Sequence, residues 1–152
     1  MMKLDGNLGI TSPALALSQA PAAGQVGEQL TATGTAVALT STASNPHIAS
    51  LSVSAGTWDI SGWVSFNPAA TTSMNFRCAS IGITANAIDL SNQQFIQDLN
   101  AGFVTGGSVF AYAIPIRRYT FATPTTVYLG QYSQFTISTC TGSGKITATR
   151  VA

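Results

Sequence analysis

The residues that could do chemistry are few and widely separated in this chain. The one histidine, His47, follows Asn45-Pro46, a turn in which a lone imidazole is more often solvated than catalytic. Asp89 and Asp98 could be imagined as the carboxylate pair that glycoside hydrolysis requires, but the only glutamate, Glu28, lies far from them. We therefore predict that the protein is not an enzyme and has no catalytic residues.

Two further sets of residues do not fit a cofactor or metal site. Gly102, Gly106 and Gly107 do not open a strand-to-helix turn, which is the context in which a glycine-rich loop binds phosphate. Cys78 and Cys140 do not have the spacing of metal ligands. They could pair if their strands are adjacent, or they are two small buried thiols. The sequence predicts no cofactor and no metal, and it leaves the cysteine pairing open.

Charge is scarce along the whole chain. Only 7% of the 152 residues are charged and 45% are hydrophobic, whereas a soluble monomer has about 25% charged residues. The net charge of +1 gives neither a basic surface for nucleic acid nor an acidic one for cations. No stretch is long and apolar enough to cross a bilayer, so we expect no membrane partner. The composition favours a subunit whose surface is covered by copies of itself.

Residues 1–27 have no sustained period of either strand or helix and contain Pro13, Pro21 and several glycines. Polar residues interrupt any signal-peptide core, so we expect a cytoplasmic origin, bacterial or viral. We predict an extended N-terminal arm over 1–27 that docks on a partner protein. Its apolar anchors would be Leu4, Leu8, Ile10, Leu15 and Leu17.

Residues 28–152 are predicted to form a single β-sandwich domain. Alternating segments predict strands over 30–39, 48–53, 57–66, 72–84, 108–121, 125–138 and 145–151, with a glycine-rich turn at 140–144. The segment 86–107 is the least strand-like. There Ser91 with Gln94 fits a capping box and Phe95 with Leu99 has helical spacing, which predicts a short helix or an ordered loop. The expected fold is an all-β jelly-roll or sandwich of about eight antiparallel strands.

Alternation also predicts which face of each strand lies in the core. Trp58, Ile60, Val64 and Phe66 share one face of their strand, while Trp63 stands alone on the polar face. In the next strand Met74, Phe76 and Cys78 are expected on one side and Arg77 on the other.

The segment 108–121 is apolar on both predicted faces, with Ile116 beside Phe110 and Tyr119 on the opposite side. Such a strand favours burial between subunits. The predicted trimer interface consists of Phe110, Tyr112, Ile114, Tyr119, Tyr128 and Tyr132. Arg117 and Arg118 point to opposite faces. One of them could reach Asp59 or Asp98 of a neighbouring subunit, or both lie near a strand end in solvent.

Several segments together resemble a domain of tailed-phage virion proteins. They are Leu51–Asn67 (LSVSAGTWDISGWVSFN), Ala69–Ser73, Ile114–Arg117, Thr125–Leu129 and Ile146–Arg150. That domain is seen in tail-fibre tips and in small head-associated proteins. It is similar to the trimeric jelly rolls of the tumour necrosis factor and complement-head type. The resemblance covers residues 48–151 and implies a homotrimeric virion component that is not an enzyme.

Three functions follow from this resemblance and the composition. The first is a capsid decoration, cement or head-fibre protein of a bacteriophage, assembled into the virion in the host cytoplasm and attached through residues 1–27. The second is a tail-fibre or tail-tip module that recognises a host surface glycan through 86–107, where Phe95 and Phe103 are the aromatic candidates. The third, a carbohydrate-acting enzyme, would need a carboxylate cleft that the sequence does not offer.

Overall fold

The computed structural model describes residues 20–40, 47–91, 95–104 and 106–152; between residues 95 and 104 only the side chains of Gln97 and Asp98 are described. These residues contain eight β-strands and no helix. The strands are β1 (Gln29–Leu39), β2 (His47–Val53), β3 (Gly56–Pro68), β4 (Ser73–Gly82), β5 (Phe95–Val104), β6 (Phe110–Phe121), β7 (Thr125–Thr136) and β8 (Cys140–Arg150).

The strands form two four-stranded sheets that face each other. The first sheet has the order β1-β8-β3-β6 and the second has the order β2-β7-β4-β5. Neighbouring strands are antiparallel in both sheets. The chain crosses from one sheet to the other at every connection except the one from β4 to β5. This is a jelly roll, so the predicted all-β fold of about eight antiparallel strands is confirmed.

The core lies between the sheets and is built around β3. Trp58, Ile60, Val64 and Phe66 are all 0% exposed, as their alternation predicts. The Trp58 indole N–H donates to the carbonyl of Ser54 at 3.0 Å, so its one polar atom is satisfied in the part-buried site. Burying each such side chain stabilises the fold by about 1.5–3 kcal/mol. The predicted register of β3 is therefore confirmed.

The expectation of a short helix or an ordered loop over 86–107 is wrong for residues 95–104, whereas residues 86–91 contain neither helix nor strand, as expected of an ordered loop. Residues 95–104 form β5, an edge strand that pairs with β4. The Ser91 hydroxyl does not cap a helix but donates to Asp89 Oδ1 at 2.6 Å. The sequence signal was one pair of residues at helical spacing, and pairing with an exposed strand edge outweighs so weak a local preference.

The glycine-rich segment 140–144 is a strand rather than the expected turn. Gly142 and Gly144 lie on the buried face of β8. A Cβ at Gly142 would collide with Gln131 Oε1, and one at Gly144 would lie 2.9 Å from Leu129 Cδ2, both on β7 of the opposite sheet. These glycines permit close approach between layers, which is a known role of glycine inside strands.

An irregularity in β4 reverses the expected faces of that strand. The β4–β7 register shifts between Met74 and Phe76. Met74 faces the core, and beyond the shift Arg77 faces the core as well, so Phe76 and Cys78 point outward. The predicted grouping of Met74 with Phe76 and Cys78 is therefore wrong, because a bulge changes the phase of alternation.

A second irregularity lies in β6. The β3–β6 register shifts between Ile60 and Gly62, whose partners are Arg117 and Ile114. Pro115 and Ile116 are thus accommodated opposite a single residue, and Ile116 is 67% exposed. Tyr119 then lies on the same inward side as Ile114, packed against the core. The predicted assignment of residues to the two faces of β6 is therefore wrong. The bulge changes the phase of alternation, so the aromatic residues before and after it lie on the same side of the strand.

Candidate interface surfaces

A cluster of charged and aromatic side chains closes the sandwich between β5 and β6. Arg77 is 2% exposed, and its Nη2 donates to Asp98 Oδ2. Tyr112 Oη also donates to Asp98 Oδ2, at 2.7 Å, and the Arg77 guanidinium carbon lies 3.8 Å from the Phe110 ring centroid. Burial, followed by the bond to Asp98, raises the pKa of Tyr112. These four residues, the closing cluster, join β6 of the first sheet to β4 and β5 of the second.

The closing cluster accounts for half of the predicted interface residues on β6. Phe110 and Tyr112 are half-buried and retain an accessible part. Ile114 is different, because it is 2% exposed and belongs to the core of its own sandwich. Its predicted place in the trimer interface is therefore wrong, because a side chain buried in the core of its own sandwich cannot contact a neighbouring subunit.

The other half of β6 carries two parallel, stacked aromatic rings. The Tyr119 and Phe121 centroids are 5.7 Å apart with an interplanar angle of 5°, and the Arg117 guanidinium carbon lies 5.3 Å from the Tyr119 centroid. Burial raises the pKa of Tyr119. Both rings pack against the core and remain partly exposed.

The two carboxylates expected to receive an arginine from a neighbouring subunit are each engaged within the chain. Arg118 binds Asp59 through two hydrogen bonds, Nε to Oδ1 at 2.7 Å and Nη2 to Oδ2 at 2.8 Å. This bidentate bond holds the pKa of Asp59 below its usual value. Arg117 and Arg118 are both exposed, in agreement with the alternative that places them in solvent.

Tyr128 and Tyr132 lie elsewhere, on the outer face of the second sheet. The Tyr132 ring is edge-to-face with Phe76 at 5.6 Å, and the Tyr128 ring is edge-to-face with His47 at 5.3 Å. Gln134 Nε2 donates to Tyr132 Oη at 2.7 Å. We call His47, Phe76, Tyr128 and Tyr132 the outer aromatic patch. The predicted interface residues thus separate into two surfaces, one beside β6 and one on the second sheet.

The connection from β4 to β5 crosses this outer face beside the patch. The Asp89 backbone N–H donates to Ser80 Oγ at 2.8 Å, and His47 Nδ1 lies 2.9 Å from Asn86 Oδ1. Asp89 is therefore outside the second sheet, whereas Asp98 contacts the inward-facing Arg77. The two aspartates lie on opposite faces of one sheet and do not form a pair that could act on one substrate.

The exposed side chains of Trp63 and Ile116 interrupt an otherwise largely polar outer face of the first sheet. Trp63 is 43% exposed and lies in register between Ala113 of β6 and Lys145 of β8. The outward positions of β8 are four hydroxyl side chains and Lys145, so the sheet surface is solvated with few charges. Sequence alternation identified Trp63 as an isolated exposed aromatic, and the structure agrees.

The two ends of the described chain meet at one end of the sandwich. The Gly27 N–H donates to the Arg150 carbonyl at 2.8 Å, and the Arg150 N–H donates to the Glu28 carbonyl at 2.8 Å. The predicted anchors lie outside the described residues: Leu4, Leu8, Ile10, Leu15 and Leu17.

Both cysteines are buried free thiols, which decides the question that the sequence left open. Cys78 lies in the second sheet and Cys140 in the first, and burial raises the pKa of each to about 11. Within the described ranges no three His, Cys, Asp or Glu side chains are grouped so that they could hold a metal ion. The same ranges contain no helix suited to spanning a membrane.

No protein-family model matches the chain, and no curated protein sequence matches it. Among solved structures, the chain is similar to a chain in the structure of the infectious bursal disease virus Gt strain. The identity is 11% and the TM-score is 0.45. The match covers 99% of this chain and 42% of that chain, so this chain spans less than half of the viral chain's length.

Proposed function

We propose that this chain is a structural protein of a bacteriophage virion, without enzymatic activity. In this proposal it is a homotrimeric capsid decoration, cement or head-fibre protein. The observation that carries it is the jelly-roll strand order of the two sheets, because this is the fold implied by the resemblance of residues 48–151 to phage virion domains. The low charge content is consistent with a surface shared among copies.

The arrangement of the aromatic residues supports a ring-shaped assembly. Each subunit has two different partly exposed aromatic surfaces, one around Phe110 and Tyr112 and one in the outer aromatic patch. A cyclic trimer uses a heterologous contact, in which one surface of a subunit meets a different surface of the next. Two unlike patches fit this requirement better than one self-complementary patch would.

Sedimentation equilibrium of the whole chain at micromolar concentration tests the trimer, with three protomers as the expected mass. Tyr112→Asp and Tyr132→Asp alter the two surfaces separately, and each should abolish the trimer by placing a charge in the contact. Tyr112→Phe and Tyr132→Phe keep the rings and serve as controls. Circular dichroism establishes that each variant is folded.

Mixing the two aspartate variants distinguishes the kind of contact. In a heterologous ring, each mixed pair retains one unaltered contact, so we expect a dimer of the two variants and no trimer. A wild-type chain that sediments as a monomer would contradict the assembly. Mixed variants that remain monomeric would contradict the two-surface contact while leaving a trimer possible.

Attachment is assigned to residues 1–27, with the five leucine and isoleucine anchors as the docking side chains. The described chain enters the sandwich at the same end as the C-terminus, which leaves the opposite end of the domain for display. Deleting residues 2–27 should leave the melting temperature nearly unchanged and abolish incorporation into particles. Full incorporation of the truncated chain would show that the sandwich itself attaches.

The second candidate is a tail-fibre or tail-tip module that binds a host surface glycan. The parallel rings of Tyr119 and Phe121 beside Arg117 favour it, because sugars stack on aromatic faces. Against it, residues 95–104 are a strand and supply less loop than such a site was expected to use. Binding to host cell-surface glycan that Tyr119→Ala removes would support this candidate over the first.

A further inference from the structure

The centre of the outer face of the first sheet carries unused hydrogen-bonding groups beside an exposed indole. Trp63 of β3 is 43% exposed and lies opposite Lys145 of β8, which in turn lies opposite Thr33 of β1. In the neighbouring row of outward positions, Ser61 lies opposite Thr147. Among the described residues, these five side chains make no hydrogen bond, ion pair or ring contact. We call them the Trp63 platform.

Lys145 gives the Trp63 platform its charge. Within the described strands of this sheet, the other charged groups on outward positions are Asp59 and Arg118, which bind each other. The face therefore carries one positive charge that no carboxylate of the chain compensates. An occupant that brings an anion to Lys145 would form a charge-assisted hydrogen bond there, so the charge of this face favours an acidic partner.

A second copy of this chain is a poor source of that anion. Each carboxylate side chain in the described ranges already accepts a hydrogen bond within its own chain; they are Glu28, Asp59, Asp89 and Asp98. Contact between one of these groups and Lys145 would compete with that bond. The surfaces proposed for the trimer lie around Tyr112 and on the second sheet, so that assembly leaves the Trp63 platform accessible.

The surroundings of the indole favour a sugar over a protein segment. Protein interfaces are depleted of lysine and serine and are most apolar at their centres. Trp63 is bordered instead by the Lys145 ammonium group and by hydroxyls, and its neighbour on β6 is the small Ala113. Hydroxyls and an ammonium group bind the hydroxyls and carboxylate of an acidic sugar, and an indole offers the apolar face on which a sugar ring stacks.

The spacing of the strands matches the repeat of such a ligand. Neighbouring strands lie about 4.8 Å apart, which is close to the length of one pyranose residue in a polysaccharide. Trp63, Lys145 and Thr33 occupy one row across three neighbouring strands. A polysaccharide lying across the strands would therefore place successive sugars over these three side chains.

We propose that the Trp63 platform binds an acidic polysaccharide whose sugars carry carboxylates. One ring stacks on Trp63, and the carboxylate of the next sugar accepts from Lys145. Ser61 and Thr147, in the adjacent row, hydrogen-bond to sugar hydroxyls. The site lies outside the contacts proposed for the trimer and needs neither the trimer nor the arm.

Titration of the whole chain with an oligogalacturonate, a chain of carboxylated sugars, tests the site. Magnetic resonance follows the indole N–H signals of the two tryptophans, and Trp58, which is 0% exposed, serves as the internal reference. We expect a saturable shift of the Trp63 signal and none of the Trp58 signal. A neutral maltooligosaccharide of equal length should bind about tenfold more weakly, because it lacks the anion for Lys145. No shift at Trp63, or equal binding of the neutral sugar, would overturn the proposal.

Matched variants, measured by titration calorimetry, separate this site from general charge attraction. Lys145→Gln and Arg117→Gln each remove one positive charge, but only Lys145→Gln should weaken oligogalacturonate binding, by about tenfold. Trp63→Ala should abolish measurable binding, whereas Tyr119→Ala, which tests the second candidate function, should leave it unchanged. Equal losses in the two charge variants would overturn the site.

Polyglutamate is the probe for an acidic protein segment, because it carries carboxylates on a polypeptide. We expect it to leave the Trp63 indole signal unshifted at concentrations that saturate binding of the oligogalacturonate. If polyglutamate shifted this signal as strongly, the Trp63 platform would recognise acidic polypeptide, and the assignment to a polysaccharide would be wrong.

Discussion

The inner faces of the two sheets differ in chemistry although they form one core. The first sheet contributes only apolar side chains and glycine from β3 and β8, with Trp58, Ile60 and Phe66 at its centre. The second sheet contributes Val127, Leu129 and Ile81, but also the charged Arg77 and the polar Gln131 and Ser133. One face is held by packing alone, and the other depends on polar groups being satisfied.

This difference explains where regular alternation predicts structure and where it does not. In β3 every second residue faces the core without interruption from Trp58 to Phe66, so the sequence pattern is sufficient. In β4 the bulge after Met74 turns an arginine inward and a phenylalanine outward. A buried charge is seldom found in a core, so the pattern of residue types does not predict this bulge.

The largest expected effect is on the apolar face. Phe66→Ala should lower the free energy of unfolding by about 3–5 kcal/mol, because it leaves a cavity in a fully buried site. Ser61→Ala, on the opposite face of the same strand, should cost less than about 0.5 kcal/mol. Urea unfolding measures both. If the two costs were reversed, the inner and outer faces of β3 would have to be exchanged.

The polar face should be sensitive to charge rather than to volume. Asp98→Asn leaves Arg77 buried without its anion and should cost about 2–3 kcal/mol, less than for a fully buried pair because Asp98 is partly exposed. The same urea assay applies. If Asp98→Asn lowered the free energy of unfolding no more than Asp59→Asn, which breaks an exposed ion pair, the second sheet would not depend on the Arg77–Asp98 pair.

Asp59→Asn is the control for that substitution, because it breaks an exposed pair with Arg118 that solvent screens. The pKa of Asp59 is lowered by its bond from Arg118. Its contribution is therefore present above the usual aspartate pKa and is lost as pH falls through the lowered value. We expect any effect to be small at neutral pH and to disappear in high salt.

The connection from β7 to β8, which joins the two faces, carries a strained residue. Ile137 has φ of 60°, so a β-branched side chain occupies the left-handed region. Its side chain is 73% exposed, so little burial of apolar surface offsets this backbone strain. Ile137→Gly should raise the free energy of unfolding by about 1 kcal/mol. Thr136→Gly, at the end of β7, should lower it. A loss of stability in Ile137→Gly would show that the isoleucine makes contacts that offset the strain.

The smallest difference is expected for the two thiols, one in each sheet. Both are buried with the pKa raised to about 11, so neither should react appreciably with a disulfide reagent at neutral pH in the folded chain. Both should react once the protein is unfolded in urea. Rapid reaction of Cys78 alone would indicate that the second sheet opens locally.

The sequence predicts the strands of this fold better than it predicts the candidate surfaces. Seven of the eight strands have their own alternation or hydroxyl-rich pattern, but β5 has neither and forms because an edge of β4 is available to it. The surfaces depend on two bulges, at Met74 and near Ile114, whose positions follow from packing between sheets. Tyr119 and Ile116 were assigned to the wrong sides for this reason, whereas Tyr128 and Tyr132 share the outer face that regular alternation predicts for them.

The position of β8 has a consequence for synthesis of the protein on the ribosome. β8 lies between β1 and β3, so the first sheet has a gap at its centre until residues 140–150 have left the exit tunnel. The nascent chain must keep the apolar faces of β1 and β3 apart from other chains during this time, and the pairing that closes the sheet joins the two ends of the domain. The first sheet is therefore completed only after β8 has emerged from the ribosome, at the slow rate that non-local strand pairing imposes.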